Sequence, residues 1–137
     1  MPNELSTIKS IAQARAKFAW ECANGKDKEY GSLVSKIPTY IKTNGLLNTL
    51  AFLFSKSKRD NREEQLLKQI CNWITGQNLP DDVLPFPIIE TKSLTNGINL
   101  QEKILNYLMM AEAKELIQCT TEVLALFNWL RRFAKSE

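Results

Sequence analysis

The 137-residue chain contains no histidine. Histidine is the usual general base near neutral pH and the commonest metal ligand, so histidine-based triads, zinc-water hydrolysis and histidine pH switches are excluded. Glycine-rich phosphate loops are also missing: Gly25, Gly31, Gly45, Gly76 and Gly97 stand alone, in neither Walker nor dinucleotide spacing. Cysteine is scarce. Cys22, Cys71 and Cys119 are scattered among apolar neighbours, which fits neither a disulfide framework nor a metal knuckle and predicts buried, reduced thiols. Long apolar runs are absent too. The longest stretch free of Asp, Glu, Lys and Arg is Thr43 to Ser55, well short of the roughly 20 residues needed to cross a bilayer. The N-terminal residues interleave charges with apolar side chains and carry no targeting pattern, so a cytoplasmic protein without a membrane partner or cofactor is expected.

With 44% hydrophobic and 24% charged residues, the composition is that of a soluble globule. A chain of this length predicts a single domain, residues 1–137, with one core. Apolar residues recur at steps of three and four almost throughout. Ile8, Ile11, Phe18 and Cys22 mark a helix over about residues 4–24, capped by Asn3 or Ser6 and ended by Gly25. Arg15 falls in the middle of that stripe, and Trp20 points roughly the other way, so both aspects of the helix are expected to be covered.

A second stripe, Tyr30 to Ile41, is interrupted by Pro38, which predicts a kink or restart near residues 35–38. Asn44-Gly45 closes it, and a short apolar helix follows from Leu46 to Phe54. Asp60 and Glu63 have capping-box spacing ahead of a helix bearing Leu66, Ile70 and Ile74 and stopped by Gly76. Residues 77–98, with Pro80, Pro85 and Pro87, read as a long loop whose apolar Val83–Ile89 run lies on the bundle or on a partner. Asn99 with Glu102 caps the next helix, and a last helix over about residues 112–134 is expected to be buried on most sides. No segment alternates with period two. The prediction is an all-α, single-domain bundle of five or six helices with a long loop at about 77–98.

Charge is unevenly spread. Residues 37–62 carry five cations, Lys42, Lys56, Lys58, Arg59 and Arg62, against Asp60 alone, while residues 63–99 carry two cations and five acids. A one-signed patch concentrates phosphate polyanions, although a solvated turn explains the 56–62 cluster equally well. Arg131, Arg132 and Lys135 form a second cluster, which also complements the dipole of the last helix. The adjacent carboxylates Glu63-Glu64 and Asp81-Asp82 read as helix-start charge and solvated loop, not as an acid-base pair.

Three runs resemble one family: ARAKFAW from Ala14, EYGSLVSKIPTYIKTNGLLNTLAFLFSK from Glu29, and ALFNWLRRFAKSE from Ala125. The family is the small all-helical subunit of the type III-B CRISPR RNA-silencing complex, the fifth Cmr protein. The resemblance implies a non-catalytic ribonucleoprotein subunit of antiviral defence. Copies would stack along a filament of backbone subunits, with a large subunit, and line the duplex of guide and target RNA. Matched to the runs, Arg15 and Lys17, then Lys36 and Lys42 flanking Pro38, then Arg131 and Arg132 after Asn128-Trp129, become the RNA-contact candidates, expected to converge on one ridge. Pro38, Asn44, Gly45, Asn128 and Trp129 read instead as kink, cap, buried polar bond and core.

Two other classes compete. A helical protein-protein adaptor without RNA contact would dock through Trp20, Arg15 and the 83–89 loop. A small cysteine catalyst is disfavoured by the apolar setting of all three thiols.

Overall fold

A computed structural model describes residues 10–83 and 85–134. Among these, the chain forms six α-helices and one 3-10 turn and no strand, so it is an all-α bundle. The expected cap at Asn3 or Ser6, the start of the first helix near residue 4, and Lys135 lie outside the described residues.

Helix α1 spans Ile11–Ala23. Ser10 is extended and its Oγ accepts from the Gln13 N–H at 3.2 Å, satisfying one of the free donors of the first turn. Helix α2 spans Lys28–Asn44 and is capped by Asp27, whose Oδ1 accepts from the Tyr30 N–H at 3.0 Å. It runs without restarting through Pro38. Proline withholds the N–H that Val34 O would accept, yet Val34, Ile37 and Pro38 itself are all buried, so core packing on both flanking turns carries the helix across.

Gly45 closes α2 and opens α3, Leu46–Lys56. Its N–H donates to Ile41 O at 2.7 Å, and its carbonyl accepts from the Thr49 N–H and Oγ1 at 3.1 and 2.8 Å. To face both ways the residue adopts φ 87°, ψ 160°, a conformation that only glycine visits freely. A Cβ here would meet nothing within 4 Å. Gly45→Ala is therefore expected to lower stability by about 1–3 kcal/mol through backbone strain alone, read as a lower urea midpoint at unchanged m-value. A loss below about 0.5 kcal/mol would contradict this account of the junction.

Helix α4, Arg62–Thr75, begins one residue later than Asp60 and Glu63 suggest. Asp60 takes φ 61° to turn the chain, so its side chain is not placed to cap. Asn61 caps instead, accepting from the Glu64 N–H at 2.9 Å, while Glu64 Oε1 accepts from the Asp60 N–H at 2.8 Å. The helix ends on left-handed Gly76.

The described residues of 77–98 form a strap over their own bundle. The Ile88 and Ile89 N–H groups both donate to Ile74 O, at 2.8 and 3.0 Å, and Val83, Ile89 and Leu94 are buried. A 3-10 turn occupies Thr91–Ser93. Asn99 then caps α5, Leu100–Met110, by accepting from the Glu102 N–H at 2.9 Å.

Helix α6, Ala113–Phe133, starts with a capping box of Glu112 and Glu115. Its later turns are enclosed, with Val123, Leu126, Phe127 and Leu130 fully buried, but the first turns are not: Ile117 is 64% exposed. The burial expected on most sides thus holds only from about Cys119 onward. All six helices contribute to one apolar cluster whose largest fully buried members are Trp73, Tyr30 and Phe127. Helix α1 lies along α6 in the same sense, since Arg15 reaches Glu122 and Trp20 meets Phe133. The Tyr30 hydroxyl donates to Gln69 Oε1, and Gln69 Nε2 donates to Cys22 O at 3.3 Å, tying α1, α2 and α4 together. No helix among the described residues is long and apolar enough to cross a membrane.

Candidate nucleic-acid interface

The six candidate cations fall into three environments. Arg15, in the apolar stripe of α1, is turned inward. Its Nε donates to Glu122 Oε2 at 2.6 Å and its Nη2 to Oε1 at 2.8 Å, a bidentate pair that holds the guanidinium pKa above its ordinary value. Glu122 is only 6% exposed and also accepts from Trp73 Nε1 at 2.8 Å. Arg15 is thus the α1 end of a network joining α1, α4 and α6, and its donors are not turned to a nucleic acid.

Lys17 is more exposed. Its Nζ lies 3.3 Å from both Asp82 and Glu21, linking α1 to the strap, and these hydrogen bonds, Asp82 first, raise its pKa. At the surface such pairs are weak and exchange readily with other anions.

Lys36, Lys42, Arg131 and Arg132 are all exposed, and no ion pair joins any of them to another described residue. Six residues along a helix is about 9 Å of rise and a rotation of about 120°, so Lys36 and Lys42 leave α2 in different directions. Arg131 and Arg132 end α6 beside Phe133, whose ring meets Trp20 edge-on at 5.3 Å near the α1–α2 turn. Lys42 lies in the last turn of α2, about 21 Å of helix from Lys28 at its start. Lys36 thus stands midway along α2, Lys42 in its last turn, and Arg131 and Arg132 in the last turn of α6. Of the expected ridge, Arg15 is committed to Glu122, and Lys36 and Lys42 do not share one face of α2.

The neighbours of these cations also differ from expectation. Asn128 is exposed and supplies no buried polar bond; Trp129 is half-buried and stacks on Phe133 at 6.1 Å. Trp20 is 52% exposed, so only one aspect of α1 is covered. Two features escaped the sequence. Glu122 is an acid inside the apolar stripe of α6, the counterpart of Arg15 in that of α1, and matching the two lone charges would have paired them. Tyr40 stacks on Phe52 at 5.1 Å beside Lys36, an arrangement that depends on α2 and α3 folding back at Gly45.

All three thiols are free and buried. Loss of solvation pushes Cys22 up to about 12, Cys119 up to about 11, and Cys71 upward as well, so each is a neutral thiol at neutral pH and a poor nucleophile. No group of three or more Cys, Asp or Glu residues among the described residues is arranged to hold a metal ion.

A family model described as CRISPR-associated protein (Cas_Cmr5) matches residues 11–137, from the first turn of α1 through the end of α6. The chain belongs to this family and is a small subunit of the type III-B CRISPR (Cmr) complex.

Proposed function

We propose that this Cmr subunit is non-catalytic and works in the cytoplasm, where copies stack along a filament of backbone subunits and steady the duplex of guide and target RNA. The observation that carries the RNA role is the exposure of Lys36, Lys42, Arg131 and Arg132 without acidic partners among the described residues. Contacts from such cations go to phosphates and ignore sequence, which suits a complex whose specificity comes from base pairing. One copy contacting roughly two to four phosphates binds weakly at physiological salt, and tethering several copies on one filament raises avidity by about 10²- to 10⁴-fold.

The test is titration of an RNA duplex at two salt concentrations. Binding is expected to weaken steeply with salt. Lys42→Glu and Arg131→Glu should each weaken it and flatten the log-log salt dependence by about one unit for each phosphate no longer neutralised. Lys114→Glu, at the opposite end of α6 from Arg131, serves as the control for net charge and should leave binding unchanged. Binding that ignores salt, or is undetectable even at low salt, favours the adaptor. That second reading has its own support in the exposed Trp20 against Phe133, beside a hollow of about 270 Å³.

A further inference from the structure

A groove of about 280 Å³ runs between α2, α3 and α4. Its wall is the stacked pair Tyr40 and Phe52, both half-buried, with ring centroids 5.1 Å apart and planes 26° apart. Lys36 and Arg62 stand on its rim, together with the carboxylates of Glu29 and Glu63. Because α2 and α3 fold back at Gly45, Lys36, one turn before Tyr40, and Lys56, one turn after Phe52, fall at the same end of the aromatic pair.

We propose that this groove takes a single unpaired RNA base, stacked against Tyr40 and Phe52, while Lys36, Lys56 and Arg62 hold the adjoining phosphates outside. The inference rests on the RNA-contact reading above and names a site for it. Size and charge select the occupant. The groove lies just below the roughly 300–1,000 Å³ of sites for drug-sized ligands, which suits one planar ring. Glu29 and Glu63 oppose a phosphate inside, yet their oxygens can accept from ring amino groups, and the rim cations attract the backbone that carries the base. Aromatic faces bind bases with little regard to sequence, and the planar Arg62 guanidinium adds a second stacking surface. Arg62 meets Glu63 through Nε at 3.3 Å, which orients it along this rim.

The test is an NMR titration of the full chain at low salt, with a short single-stranded RNA and an abasic strand of equal length and charge. Stacking predicts upfield ring-current shifts of the Tyr40 and Phe52 ring protons with the base-bearing strand only. It also predicts that Tyr40→Leu weakens that strand roughly tenfold or more while leaving the abasic strand unaffected. Lys36→Glu is expected to weaken both strands. If both strands shift the Lys36 and Lys42 amides equally and leave the rings unmoved, the base site is wrong and the phosphate reading survives. If neither strand shifts any resonance, both fall. Ring shifts that depend on protein concentration without RNA would assign the groove to a second copy and overturn the base site. The ring shifts are read on the unaltered chain, so the answer does not depend on the stability of the variant.

Discussion

Replacing Glu122 with alanine is expected to lower stability by about 3 kcal/mol, a fall in melting temperature of about 10 °C. The carboxylate meets the Arg15 guanidinium through both oxygens and the Trp73 indole N–H through one, and it is itself almost fully enclosed. Its loss strands a buried indole donor and a cation whose side chain is only 19% exposed. Breaking a buried pair typically costs about 3–5 kcal/mol, and the residual access of Arg15 to water places this case at the lower end. Glu122→Gln separates the two contributions, because the amide oxygen still accepts from Trp73 while the charge pairing is gone; about half the loss is expected. Thermal unfolding of the two variants checks this. A loss below about 1 kcal/mol for Glu122→Ala would show that the network does not tie α1 to α6, and would return Arg15 to the set of available surface cations.

Alkaline pH should destabilise the fold still more. Cys22, Cys71 and Cys119 have folded pKa values raised from an ordinary 9.0 because burial disfavours the thiolate. Below pH 9 both folded and unfolded thiols are protonated, so the stability they permit is fully present. Above pH 9 the unfolded chain releases protons that the folded chain keeps, so the unfolded state binds fewer protons and stability falls as pH rises. Each thiol contributes about 1.4 kcal/mol of loss per pH unit in this window, or about 4 kcal/mol for the three between pH 8 and pH 10. Tyr30, buried and likewise raised, adds to the loss above pH 10. Urea unfolding at pH 8, 9 and 10 measures the slope. Cys71→Ala starts from lower stability but should lose about a third less of it over the same range. A flat profile would mean that the thiols are not enclosed as described, and would reopen the catalytic reading set aside for lack of an exposed nucleophile.

Much of the fold was legible because helices bury a periodic stripe, and the order of apolar residues reports that period wherever the contact is made. Ends marked by local chemistry were legible as well: Gly76 and Asn99 act within a few residues of themselves. Asp60 and Pro38 behave differently because neighbours override them. Asp60 is required for a left-handed turn and passes the cap to Asn61, and Pro38 stays in a helix because the core grips both sides of it.

The site was the least legible part. Arg15 and Glu122 are 107 residues apart, and a lone cation in an apolar stripe looks the same whether its partner is internal or an incoming phosphate. The mutual placement of the other cations was hidden for a related reason: residues within one run share a helix, but direction between helices is set by turns such as Gly45 and by the parallel lie of α1 on α6. The Tyr40–Phe52 pair arises from the same fold-back and is not visible in the spacing along either helix.

If this subunit joins its assembly through the RNA that other subunits hold, its uptake must depend on that RNA. Light scattering reads the dependence as the mass of a backbone-subunit filament titrated with this chain, with and without guide and target RNA. Stepwise uptake of several copies is expected on the RNA-bearing filament, reduced by Lys42→Glu combined with Arg131→Glu. Equal uptake on filaments with and without RNA, unaffected by both substitutions, would contradict attachment through RNA.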